Sequence, residues 1–148
     1  MTRPEPPVLA QFPVRQLHRT RWADNDSYGH LNNTVHNQLF DTAVNTWLLE
    51  TCGAELRAAD SIGIVAETSV HFLAEAAYPA DVTVAVGVEH RGRSSVVYRV
   101  AIFTGAGTPD EIACSVGRFV HVYVDRDTRR PVPMPAAVAA AADGIRLA

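Results

Sequence analysis

Residues 24–33 form a polar loop directly before a segment with helical periodicity, and their sequence is Asp24-Asn25-Asp26-Ser27-Tyr28-Gly29-His30-Leu31-Asn32-Asn33. The loop carries two carboxylates, one imidazole, three carboxamides and one glycine, so it cannot pack an apolar core. It can instead satisfy the free N–H groups of a helix start and present a carboxylate beside them. A carboxylate next to a helix start, which attracts anions, is a workable site for hydrolysing an acyl group.

The segment after the loop predicts one long amphipathic helix that begins near Thr34. Apolar residues recur about every four positions and form one stripe, which consists of Val35, Leu39, Phe40, Ala43, Val44, Trp47 and Leu48. Asn33 or Thr34 can cap the start, and Gly53 can end the helix in a left-handed conformation. Gly29, inside the loop, is expected to allow a turn with positive φ.

Five further segments have the pattern typical of β-strands, and they span residues 12–22, 62–73, 82–90, 95–103 and 112–124. Short connections favour an antiparallel sheet, which gives an α+β domain. One helix can cover only one face of such a sheet. Because residues 112–124 carry apolar or aromatic side chains on both faces, we expect the uncovered face to meet another subunit.

The 148-residue chain is long enough for one domain with a real core. Its formal net charge is −3, it has no lysine and its arginines are scattered, so the composition argues against nucleic-acid binding. No apolar run approaches the roughly 20 residues that span a bilayer, which argues against membrane insertion. Cys52 and Cys114 lie far apart without metal-type spacing, and we interpret them as reduced residues of a cytoplasmic protein.

Composition also predicts the domain limits. Three prolines near the start indicate a flexible N-terminal segment, which we place at residues 1–11. The domain is expected over residues 12–135. The alanine-rich residues 136–148 are expected to form a short helix or a frayed tail.

The order of strand, loop, long helix and four strands resembles the hotdog-fold acyl-CoA thioesterases, most closely the 4-hydroxybenzoyl-CoA thioesterase-like branch. The segment 21–33 fits the family's aromatic residue, D-x-D pair, glycine and pair of amides before the helix. Three other segments match as well: residues 39–43 on the helix, residues 92–95 before the fourth strand and, less specifically, residues 124–135. The resemblance covers residues 12–135.

This resemblance implies a hotdog fold, in which a five-stranded antiparallel sheet wraps around one long central helix and continues across a homodimer. Dimers of this family often associate into homotetramers. Active sites lie at the dimer interface, the substrate is an acyl-CoA, and neither a metal nor an organic cofactor is needed. Asp26 falls at the position of the family's catalytic carboxylate, and Asn33 at the position whose N–H polarises the thioester carbonyl.

We expect further substrate contacts in two places. The first is the loop itself, through Tyr28, His30 and Asn32. The second is the turn where the family often holds the nucleotide or pantetheine end of coenzyme A, through Arg91, Arg93, Ser94 and Ser95, since guanidinium and hydroxyl groups suit phosphate oxygens.

The residues alone leave plainer roles open. Asp26 can serve only as a cap for the loop or helix, His30 can be a loop histidine bonded to the backbone, and residues 91–95 can be a solvated basic turn. A metal site is not expected. Asp24-x-Asp26 imitates the start of a calcium loop, but Tyr28 and Val35 stand where that loop requires ligands.

The sequence therefore predicts hydrolysis of acyl-CoA thioesters, with two alternatives. One is a non-catalytic protein that binds or carries acyl-CoA or another lipid thioester. The other is a hotdog hydratase that adds water to a 2-enoyl thioester. The hydratase is disfavoured, because its G-D-x-N-P-x-H segment places Asp five residues before His, whereas Asp24 and Asp26 lie six and four residues before His30.

Overall fold

The computed structural model describes residues 2–148, which form one antiparallel sheet, one long helix and one short helix. Their bounds are β1 Val14–Arg19, α1 Asn33–Ala58, β2 Ser61–Phe72, β3 Asp81–Arg91, β4 Ser95–Thr104, β5 Ile112–Asp125 and α2 Ala136–Gly144. The five strands lie in the order β1-β3-β4-β5-β2, with antiparallel pairing throughout. The predicted α+β architecture, with one long helix on a five-stranded sheet, is confirmed.

The main core lies between α1 and one face of the sheet. Alternating valines on β3 and alternating apolar residues on β4 point at the helix, as their period of two requires. The helix meets them with the largest residues of its apolar stripe, and the central members of this core are Phe40, Val44, Trp47, Val84, Val86, Tyr98, Val100 and Phe119. Burial of this apolar surface supplies the main driving force for the fold.

Gly117 of β5 lets α1 approach the sheet closely. A side chain there would overlap the backbone carbonyl oxygen of Ser69 on β2, and its Cβ would lie 2.8 Å from Cε2 of Phe40. Because Gly117 has no side chain, the Phe40 ring can pack directly on the sheet. Phe40 lies one helical turn beyond the residues that line the candidate site.

The opposite face of the sheet is covered in part by the chain's own ends. Leu9 and Phe12 pack there against Ala85, Ala101, Phe103 and Val116, and Leu147 joins them from the C-terminus. A short 3-10 turn, Leu9–Gln11, precedes β1. Thus Leu9, within residues 1–11 that were predicted to be a flexible segment, is buried, whereas the domain limits themselves stay a prediction.

The ends of α1 and β1 differ from the predicted ones. Asn32 caps α1, since its Oδ1 accepts a 2.9 Å hydrogen bond from the Thr34 N–H. The helix does not end at Gly53, which lacks a positive φ. It has a break at Cys52 (φ −145°, ψ 35°) and continues to Ala58. Burial of Cys52 and packing of Leu56 explain the extra length.

The prediction for β1 was too long at both ends. The strand spans Val14–Arg19 rather than residues 12–22. Trp22–Asp24 form a 3-10 turn instead, because the Asp24 carboxylate bends back to the Arg21 backbone N–H at 2.8 Å.

Candidate active site

The polar loop is held in one shape by its own backbone. The Asp26 N–H donates to the His30 carbonyl at 2.9 Å, and the Gly29 N–H donates to the Asp26 carbonyl at 3.1 Å. Gly29 has φ 84°, which confirms the predicted left-handed turn. The Tyr28 N–H donates to Asp26 Oδ1 at 2.9 Å. Asp26 is therefore fixed on both its main chain and its side chain.

Further hydrogen bonds tie this loop to the rest of the fold. Asp24 is buried and accepts both the Arg21 N–H and the Arg21 guanidinium, the latter at 2.9 Å. The Leu31 N–H donates to the Ala76 carbonyl at 2.7 Å, and the Tyr78 N–H donates to Asn25 Oδ1 at 3.0 Å. The loop and the β2–β3 connection, residues 73–80, consequently form one connected unit.

A cavity of about 460 Å³ opens between the loop, the first turn of α1 and the β2–β3 connection. Its lining residues are Asp26, Tyr28, His30, Leu31, Asn33, His36, Phe72, Leu73, Ala74, Glu75 and Ala76. Buried Leu31, His36 and Ala76 form its inner part, while exposed Tyr28 and Glu75 lie at its mouth. The cavity is thus mainly apolar, with a carboxylate at its entrance.

The start of α1 faces the same cavity. Asn33 is the first residue of the helix, and its N–H donates no hydrogen bond to any residue of the segment 2–148. A free N–H at this end of a helix carries part of the positive end of the helix dipole. The structure therefore places the two residues predicted to be catalytic, Asp26 and Asn33, on the wall of one cavity.

The sequence from residue 20 to residue 142 matches the family model described as the thioesterase-like superfamily. The chain belongs to this superfamily. A crystal structure of the PA5185 protein from Pseudomonas aeruginosa is 38% identical in sequence, with a TM-score of 0.89, and the match covers 97% of this chain and 99% of that one. Membership of the superfamily supports thioester hydrolysis as the general activity.

Two more distant structures share the fold, which confirms the hotdog architecture. A 1,4-dihydroxy-2-naphthoyl-CoA thioesterase from Synechocystis is 16% identical, with a TM-score of 0.77, and the match covers 87% of this chain and 94% of that one. A mutant 4-hydroxybenzoyl-CoA thioesterase, complexed with 4-hydroxybenzoyl-CoA, is 15% identical, with a TM-score of 0.76 and coverages of 87% and 97%. No curated protein matches the sequence.

His30 lies between two carboxylates that line the cavity. Its Nδ1 is 3.7 Å from Asp26 Oδ2, and its Nε2 is 3.8 Å from Glu75 Oε1. The Tyr28 ring stacks on the imidazole with 6.3 Å between ring centroids. A protonated His30 would therefore attract the Asp26 carboxylate from one side and be attracted by Glu75 from the other.

His36 is a cavity residue that the sequence interpretation missed. It is 3% exposed, its Nδ1 is 2.8 Å from Ser115 Oγ of β5, and its ring meets Phe72 edge-on. Burial, together with the nearby His30, lowers the pKa of His36 to about 4, so the ring is neutral at pH 7. The signal was a polar residue four positions before Phe40, because this spacing places it on the buried stripe.

The remaining predicted contacts are not part of the cavity within one chain. Arg91, Arg93, Ser94 and Ser95 lie at the β3–β4 turn, and Arg91 makes a two-fold hydrogen bond to Asp143 of α2 at 3.0 and 2.6 Å. Asn32 caps α1 instead of lining the cavity. Their roles in substrate binding stay predictions.

Two absences hold for the part of the chain that the structure covers, residues 2–148. There, no group of three or more His, Cys, Asp or Glu side chains is placed to hold a metal ion. Within the same residues, no helix is long and apolar enough to cross a membrane.

Proposed function

We propose that this protein is an acyl-CoA thioesterase in which Asp26 is the reacting carboxylate. One observation carries the proposal: Asp26 and Asn33 line the same mainly apolar cavity, and the Asn33 N–H at the start of α1 donates to no residue of the segment 2–148. An acyl group fits the apolar wall, and its thioester carbonyl fits the entrance, where the polar groups are. Superfamily membership supports the same class of reaction.

In the proposed reaction, the carbonyl oxygen points at the Asn33 N–H and the positive end of α1. Asp26 attacks the thioester carbon, or it takes a proton from a water that attacks. The carbonyl oxygen then gains negative charge, which a single such donor stabilises by about 3 kcal/mol. The C–S bond breaks, and the thiolate leaves and takes up a proton. After direct attack, water then hydrolyses the anhydride between the acyl group and Asp26, which frees the carboxylate. In both routes water supplies the second oxygen of the free acid.

The coenzyme A end of the substrate is proposed to contact the β3–β4 turn. Arg93 is exposed there, and Ser94 and Ser95 supply hydroxyl groups, whereas the Arg91 guanidinium is already paired with Asp143. Since this turn does not line the cavity of its own chain, the contact fits a site shared between two protomers.

The proposed assembly is a homodimer, or a tetramer of two dimers, that forms through β2. This strand pairs with β5 on one side only, and it exposes apolar side chains along its length: Ile64 is 41%, Val65 48% and Phe72 51% exposed. A long edge strand with exposed apolar side chains is a template for pairing with a second chain. Phe72 also lines the cavity, so a partner at this edge would help to enclose the site.

We expect Val65→Asp to weaken this assembly, because it places a charge among the apolar side chains of the β2 edge. Light scattering after size-exclusion chromatography measures the mass. The wild type should run as a dimer or tetramer, and the variant should shift towards a monomer. Ile112→Asp is the matched control, since Ile112 is 49% exposed and precedes the part of β5 that pairs with β2. A monomeric wild type, or an unchanged Val65→Asp variant, would contradict the β2 interface.

A panel of acyl-CoA esters, from acetyl to palmitoyl and including aromatic esters, tests the activity itself. A thiol-reactive dye measures the release of free CoA. We expect release from at least part of the panel, at a rate proportional to enzyme concentration. Binding of acyl-CoA without release would favour the non-catalytic carrier, and hydration of a 2-enoyl-CoA without thiol release would favour the hydratase.

A further inference from the structure

Ser115 fixes the tautomer of the buried His36. Ser115 Oγ is fully buried and has no other side-chain hydrogen bond within residues 2–148 besides the one to His36 Nδ1. If Nδ1 carried the proton, the serine hydroxyl would be left as a buried donor without an acceptor, which is costly. The hydroxyl therefore donates to Nδ1, and the proton of the neutral ring is on Nε2.

The Nε2–H group is the unpaired polar group that His36 brings to the cavity wall. His36 lines the cavity, and its Nε2 makes no hydrogen bond within residues 2–148. Nε2 is also not one of the buried polar atoms without a partner, which are Asn37 Oδ1, Tyr98 Oη and His121 Nδ1 in the part of the chain described. His36 Nε2 therefore has no hydrogen-bond partner in this part of the chain and is not completely buried. The apolar inner wall of the cavity contains one free hydrogen-bond donor.

The position of the His36 Nε2–H group on α1 indicates which part of a bound acyl group it would contact. His36 is three residues after Asn33 on the same face of α1, and helix geometry sets these positions about 4.5 Å apart along the axis. Asn33 is exposed at the entrance, and His36 is buried behind it. If the thioester carbonyl binds at the Asn33 N–H, His36 Nε2–H lies beside the first carbons of the acyl chain rather than beside the carbonyl or the far end.

We propose that His36, held by Ser115, is a specificity residue that selects acyl groups with an oxygen on the carbon β to the thioester carbonyl. Such groups are 3-hydroxyacyl, 3-oxoacyl and 2-hydroxyaroyl esters, which share one hydrogen-bond acceptor at that carbon. This inference rests on the proposed thioesterase function and adds the class of its substrate.

The charge state and the surroundings of the ring agree with this role. Its pKa of about 4, lowered by burial and by His30, keeps it a neutral donor across the physiological range. Leu31 and Ala76, which form the inner part of the cavity with His36, carry no polar side chain. A buried donor left unpaired by a plain acyl chain disfavours that chain, so such a site discriminates more strongly than an apolar pocket does.

Two matched substrates test the inference: 3-hydroxyoctanoyl-CoA and octanoyl-CoA, followed by thiol release. We expect the wild type to favour the hydroxylated ester in kcat/KM by about tenfold or more. The double variant His36→Phe/Ser115→Ala removes the donor without leaving the serine hydroxyl unpaired, and it should lose this preference. His36→Gln, whose amide can accept from Ser115 and donate into the cavity, should restore part of it.

The control is His121→Phe, the same replacement at a buried histidine outside the cavity, and it should leave the preference between the two esters as in the wild type. Equal kcat/KM values of the wild type for the two esters, or a preference that survives His36→Phe/Ser115→Ala in folded protein, would overturn the role of His36 while thioesterase activity stands. Absence of hydrolysis of either ester and of the whole panel would overturn both.

Discussion

Replacement of Asp26 by asparagine is expected to lower turnover of acyl-CoA by about 10²–10⁴-fold, the usual contribution of a positioned acid–base group. The amide has nearly the shape of the carboxylate, and its oxygen can still accept the hydrogen bond from the Tyr28 N–H. It can neither attack a thioester nor deprotonate water at neutral pH. The fold and the oligomeric mass should therefore stay unchanged, as measured by circular dichroism and light scattering.

Asp24→Asn is the matched control for this experiment. Asp24 lies two residues away, but its carboxylate is turned towards Arg21 and does not line the cavity. We expect a moderate loss of stability and a much smaller loss of turnover per folded molecule. Turnover of Asp26→Asn near that of the wild type would refute the assignment of Asp26 and would leave the loop carboxylate with a purely structural role.

The free energy of unfolding is expected to fall as the pH falls from about 6.5 to 4. Burial lowers the pKa of both His36 and His121 from 6.5 to about 4. Within this window the unfolded chain binds protons that the folded chain does not bind, so acid favours unfolding. The stability from the two neutral rings is present in full above pH 6.5. By pH 5, the contribution of each ring to the free energy of unfolding has fallen by on the order of 2 kcal/mol.

Urea unfolding at pH 7.5, 6.5, 5.5 and 5.0 measures this loss. His121→Phe should remove a large part of the pH dependence, because it removes one of the two histidines whose pKa is lowered to about 4; burial also lowers the pKa of His18, which stays in this variant. The replacement should be tolerated, since His121 Nδ1 has no hydrogen-bond partner within residues 2–148 and the ring packs on Tyr98, Phe119 and Tyr123. A constant free energy of unfolding between pH 7.5 and 5.0 would show that both histidines bind protons in the fold as readily as in the unfolded chain, so that burial does not lower their pKa.

The sheet and the main core were predictable because the sequence patterns that specify them lie within single segments of the chain. The alternation of Val82, Val84, Val86 and Val88 shows which side of β3 faces the helix, and the structure confirms that all four belong to the main core. The placement of Asp26 and Asn33 on one cavity was also predictable, since only six residues lie between them and a helix starts at Asn33.

The rest of the site depends on contacts that no local pattern contains. His36 and Ser115 are 79 residues apart, and only the register of β5 beside β2 brings the hydroxyl to the ring. Glu75 and Ala76 enter the cavity because the β2–β3 connection is bonded to the polar loop through Leu31. The predicted end of α1 at Gly53 was wrong for a similar reason. Cys52 is buried and Leu56 is partly buried by contacts of the tertiary fold, and this burial outweighs the tendency of Gly53 to stop a helix.

The attachment of the polar loop to the β2–β3 connection bears on how this enzyme can acquire new substrates. The connection holds the loop through the main-chain atoms of Ala76 and Tyr78, whereas Ala74 and Glu75 line the cavity and take no part in these anchors. Main-chain anchors do not depend on the identity of the side chain. Natural drift or directed evolution at positions 74 and 75 can thus reshape the wall while Asp26 keeps its position, so these two are the first positions to randomise in a library.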